Sequence, residues 1–101
     1  MNIPVLVFES GGFLYVYADS AEASSKIEAI DLLEGFYLAA FGANGERLQM
    51  RPADDGIFVD MVSTGSIEIE ELRRLLREWG HPGAAEDPEV WATLYLQTRD
   101  L

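Results

Sequence analysis

Cysteine is absent from this chain of 101 residues, and histidine occurs once, as His81. The first absence excludes a disulfide framework, a thiol nucleophile and every thiolate metal site. The second leaves zinc without a ligand set, because such a site takes several His or Cys side chains. Basic residues are scarce as well: seven Lys and Arg stand against 18 Asp and Glu, a formal net charge of -11. A field of that sign repels nucleic acid and anionic lipid. The one basic cluster, Arg73, Arg74 and Arg77, has Glu70 and Glu78 at helical spacing beside it, so much of its charge is neutralised and it makes no phosphate footprint. No apolar run approaches the roughly 20 residues that span a bilayer. The segment Ile3 to Phe8 has no basic leader before it and meets a carboxylate at Glu9, so it reads as a first strand and not as a signal peptide. The expected location is the cytoplasm.

Motifs for chemistry are missing too. The chain contains no G-x-G-x-x-G, Walker, G-x-S-x-G or H-E-x-x-H pattern, and Gly11-Gly12 leads into a strand where a phosphate cradle would lead into a helix. His81 lies in a Pro-Gly linker behind a helix-ending glycine and reads as a solvated side chain or a helix C-cap. Asp54-Asp55-Gly56 lacks the spaced oxygens and closing Glu of a calcium loop and reads as a solvated turn. Asp60, set among apolar residues, has the surroundings that raise a carboxyl pKa for acid–base work, but a strand Asp that faces water explains the same letters. The expectation is a protein that is not an enzyme and holds no cofactor or metal.

What is present is the material of a core. Hydrophobic residues make up 49% and aromatics 11%, enough for burial to offset the entropy of ordering the chain, and the length fits one domain over residues 1–101. Ile3 to Phe8 and Phe13 to Ala18 are apolar runs joined by a Gly-Gly turn, a hairpin expected near the middle of a sheet. Asp19 or Ser20 caps a helix expected to run to about Ile30, with Ala23, Ile27 and Ile30 on one face. Phe36 to Phe41 reads as a third strand, and Asn44-Gly45 turns it back into the alternating strand Glu46 to Arg51. Ile57 to Val62 reads as a fifth strand, broken off by Thr64-Gly65-Ser66. Ile69, Leu72, Leu75, Leu76 and Trp79 form a helical stripe ending at Gly80, with glutamates in its first turn and arginines in its second half as the helix dipole favours. His81 to Ala85 is a linker before a last helix that Asp87-Pro88 opens. The fold class is therefore α+β, a mostly antiparallel five-stranded sheet with three helices in the order ββαβββαα.

With these exclusions, the acidic surface suits a basic protein partner, to which electrostatic complementarity gives fast and selective association. Keeping a small protein soluble and monomeric is the simpler use of the same charge. A resemblance bears on the choice. Ile3-Pro4-Val5-Leu6-Val7-Phe8, Leu14-Tyr15-Val16-Tyr17, Ile27-Glu28-Ala29-Ile30-Asp31, Glu34-Gly35-Phe36-Tyr37 and Ala43-Asn44-Gly45-Glu46-Arg47-Leu48 together resemble the scaffold of small acidic immunity proteins of bacterial polymorphic toxin systems, of the contact-dependent or type VI secretion kind. The likeness covers about residues 3 to 50, with a looser match around Glu70-Glu71-Leu72-Arg73, and departs where Ala43-Asn44 replaces the more usual acidic turn.

The resemblance implies an antitoxin-like inhibitor that binds a cognate toxin and occludes its active site stoichiometrically, a basic nuclease cleft being one such target. Partner-binding candidates are Asp54, Asp55 and Asp60, then Glu9, Asp31 and Glu34, because turns and strand ends let side chains project. The competing expectation is an interaction module or a subunit of an oligomer, a homodimer included, anchored by Trp91, Leu94 and Tyr95.

Overall fold

The structure is a computed structural model, and it describes residues 3–99. Five strands, β1 (Val5–Glu9), β2 (Leu14–Tyr17), β3 (Tyr37–Gly42), β4 (Glu46–Pro52) and β5 (Val59–Ile67), form one sheet in the order β2-β1-β3-β4-β5. Every neighbouring pair is antiparallel, so the expected α+β class and five-stranded antiparallel sheet are present. Among the described residues the helices number five where three were expected: α1 (Ser20–Lys26), α2 (Ala29–Leu33), α3 (Ile69–Glu78), α4 (Pro82–Glu86) and α5 (Pro88–Arg99).

Alternation along the strands builds two cores. Leu6 and Phe8 of β1 join Val16, Phe41, Leu72 and Leu76 on the face covered by α3, α4 and α5. Val5 and Val7 point the other way, onto Ala23 and Ile27 beside Ala40, Leu48 and Val59. β1 is thus buried on both faces, as its unbroken apolar run requires. β2, expected beside it near the middle, is instead an edge strand in which Val16 alone is buried. The helix α1 touches both β2 and β5, the two edges of the sheet. Seven helical residues span about 10 Å and a flat sheet of five strands about 19 Å, so the sheet curls around this helix.

Three local expectations change for tertiary reasons. The helix expected from Asp19 to Ile30 starts as foreseen, with the Asp19 carboxylate accepting the Glu22 N–H at 2.8 Å, but breaks at Ile27, whose backbone is extended. Ile27 is fully buried, Glu28 forms a bridge opposite Phe58, and the Ala29 N–H donates to the Ile57 carbonyl at 2.8 Å. Sheet contacts therefore outcompete a helix with little of its own apolar face, and Ile30 is left 58% exposed. The fifth strand begins at Val59 and runs through Thr64-Gly65-Ser66 to Ile67; the expected break is a register shift against β4, with Gly65 at φ +76° and the Thr64 hydroxyl donating to the Arg47 carbonyl. Most of the expected linker His81 to Ala85 is helical, taken up by α4, which Pro82 opens and whose Ala84 and Ala85 are buried.

The helix α3 ends as the sequence specifies. Gly80 has φ +85°, its N–H donates to the Arg77 carbonyl, and the His81 N–H donates back to Leu76, a Schellman closure. At the start of α5, the Asp87 carboxylate accepts the Val90 N–H at 3.2 Å.

Candidate functional site

Antiparallel pairing decides which loops meet. The end of β1, the starts of β2 and β3, the end of β4 and the start of β5 all lie at one end of the sheet. All six expected partner-binding residues are carried there: Glu9 at the end of β1, Asp31 and Glu34 in and after α2, Asp54 and Asp55 in the β4–β5 turn, and Asp60 at the start of β5. Glu28, opposite Phe58, adds a seventh carboxylate that the sequence reading passed over. Arg51 stands directly across from Asp60 in the strand register and supplies positive charge to this end.

Two groups form within the seven. Glu9 accepts a 2.6 Å hydrogen bond from the Tyr15 hydroxyl, while its carbonyl accepts the Trp79 indole N–H at 3.1 Å. The Tyr15 phenol is pushed up to about 12, first by that bond to Glu9 and then by burial. Backbone bonds from Ser10 N–H to Phe36 and from Phe36 N–H to Asp31 tie the α2–β3 connection to the Glu9 turn. Between them sits Tyr37, whose phenol is raised first by burial and then by the negative charges of Asp31, Glu9 and Glu28. Its ring lies 6.4 Å from that of Tyr15, which stacks on Tyr17 at 6.5 Å. Glu34, at the C-terminal cap of α2, is exposed beside this group.

The second group is the β4–β5 turn. Asp55 has a structural part, its carboxylate accepting the N–H groups of Ile57 and Phe58 at 2.9 and 3.2 Å. Asp54 and Asp60 are exposed, Asp60 as a strand Asp that faces water. The Ala29 to Ile57 bond joins this turn to α2 and hence to the first group.

Large apolar side chains stand exposed among these acids. Phe13 precedes β2, Leu33 ends α2 at 75% exposure, Phe36 precedes β3 and Ile57 precedes β5. These exposed apolar side chains thus share the end of the sheet that carries the carboxylates. Sequence reasoning missed Tyr15, Tyr37 and these apolar residues as part of the site. The period-2 spacing of Tyr15 and Tyr17 was the available signal; the exposure of Leu33 and Phe36 follows from the break at Ile27 and has none.

The carboxylates share this end of the sheet without closing on a common point: among the described residues no group of three or more His, Cys, Asp or Glu is placed to hold a metal ion. Among the same residues no helix is long and apolar enough to cross a membrane. Arg47, Arg73, Arg74 and Arg99 are engaged in ion pairs with Glu68, Glu70, Glu71 and Glu78, and Glu22. On α5, Trp91 turns partly inward and stacks on Tyr95, whereas Val90 and Leu94 are exposed one turn apart beside a shallow groove of about 250 Å³. Comparison of the chain with family models, with curated proteins and with solved structures finds no match.

Proposed function

We propose that the protein is an immunity-type inhibitor that binds a cognate bacterial toxin through the acidic end of its sheet and blocks the toxin stoichiometrically, without turnover or cofactor. The observation that carries this reading is the convergence of Glu9, Glu28, Asp31, Glu34, Asp54, Asp55 and Asp60 on one end of the sheet, interleaved with exposed Leu33, Phe36 and Ile57. Carboxylates there are complementary to a basic cleft and stand in for substrate phosphates if the toxin is a nuclease; the apolar side chains supply the desolvated centre that charge alone lacks. Resemblance to small acidic immunity proteins agrees with this placement.

Inspection of the neighbouring reading frames for a toxin-like domain, followed by co-expression with that domain, tests the reading. The protein is expected to rescue growth, and replacing Asp54, Asp55 and Asp60 together by Ala is expected to weaken binding while leaving the fold intact. Failure to rescue, with both proteins soluble, overturns it. A second reading, an interaction module or homodimer using α5, is favoured by the exposed Val90–Leu94 pair. Ionic strength separates them: association led by charge slows as salt rises, and an apolar α5 contact does not.

A further inference from the structure

β3 and β4 are paired at two positions only, Ala40 with Leu48 and Phe41 with Arg47. Beyond them the strands part. β3 continues along β1, with Ala39 opposite Phe8 and Tyr37 opposite Glu9, while β4 continues along β5 from Gln49 to Pro52. Residues 37–39 and 49–52 thus face each other across a seam without ladder partners there, and Leu38, 55% exposed, is skipped by the registers on both sides. The seam is a groove of about 490 Å³. It is lined by β3, by Leu48 and Met50 from one face of β4 and Arg47 and Gln49 from the other, and by Leu32 of α2. The parted end lies toward the acidic end of the molecule, with Tyr37 and Glu9 paired on the β3 side and Arg51 and Asp60 paired on the β4 side.

We propose that this seam receives a short extended segment of the partner, basic in its flanking residues, as an added strand between β3 and β4. The proposal rests on the partner-binding reading above and names how that partner is held. Unpaired backbone groups of the two walls supply main-chain hydrogen bonds, as in strand addition at a sheet edge. Because the walls run antiparallel to each other, the segment lies parallel to one and antiparallel to the other. Carboxylates at the mouth select basic side chains on either side of it.

The test is residue-resolved amide hydrogen exchange on the protein alone and with the toxin-like domain used in the co-expression experiment. A complex in which amides of residues 37–39 and 49–51 slow at least tenfold supports the proposal. Leu38→Pro, at the position that the registers on both sides skip, is expected to weaken binding at least tenfold, and Leu38→Ala less than threefold. If a complex forms and the seam amides exchange as in the free protein, the strand insertion is wrong and the partner-binding reading stands. If no complex forms, that reading fails and the insertion with it. The exchange measurement on the unaltered protein decides the matter even where Leu38→Pro does not fold.

Discussion

Phe8 shows how much a single side chain carries. It is fully buried and meets Phe41 at 6.0 Å and Trp79 at 5.4 Å, both edge to face, which ties β1 to β3 and to the end of α3. Phe8→Ala is expected to cost about 3–5 kcal/mol by chemical denaturation, since a strand flanked on both sides cannot collapse into the space. The phenols make a second expectation. Tyr15 is raised from 10.0 to about 12 chiefly by its bond to Glu9, and Tyr17 from 10.0 to about 12 chiefly by burial. A raised pKa means that the folded state holds the proton more tightly, so the contribution is complete below pH 10 and is lost as pH rises toward 12. Tyrosinate absorbance and circular dichroism are expected to change together in that window, and Glu9→Gln is expected to lower the Tyr15 midpoint. Titration of Tyr15 at an ordinary pH in the folded protein counts against the Glu9 bond. Neither effect is legible from sequence, because Glu9 and Tyr15 meet only when the hairpin closes.

Elements are held together at fewer points than their number suggests. α5 is clasped to α1 by Arg99, whose guanidinium donates to both Glu22 carboxylate oxygens at 2.9 Å and so joins residues 77 apart in the chain. That bond holds the Glu22 carboxyl below its ordinary value of 4.5. The stabilisation is therefore present above pH 4.5 and is lost as pH falls through the lowered value. A double-mutant cycle of Glu22→Gln and Arg99→Gln is expected to return a coupling of no more than about 1 kcal/mol at neutral pH and none in acid, because both groups are partly solvated. At the β3–β4 hairpin, Gly45 has φ +95° and a Cβ there would come within 3.0 Å of the Ile69 backbone. Gly45→Ala is expected to destabilise by more than about 1 kcal/mol, since both the dihedral and the close approach of α3 oppose it. Asn44-Gly45 was readable as a turn from two letters; that α3 starts against it was not.

At the scale of the whole molecule the charge acts as a field. Much of the excess lies at one end of the sheet, so self-repulsion there opposes folding, and the melting temperature of the free protein is expected to rise between 20 mM and 500 mM salt as screening relieves it. A flat response would mean that the carboxylates are too far apart to interact. The sequence by itself determined the fold class, the hairpins, the amphipathic α3 with its glycine stop and the sign of the surface, because each follows from neighbours within a few residues: period-2 and helical spacing, Asn-Gly and Gly80 as punctuation, and eighteen acids against seven bases. Only the tertiary structure decided that β2 is an edge, that Ile27 ends α1 in favour of the sheet, that β3 and β4 part after two pairs, and that carboxylates from Glu9 to Asp60 share one end. These depend on strand order and curvature, which arise from contacts between residues far apart in the chain and leave no local periodicity to read.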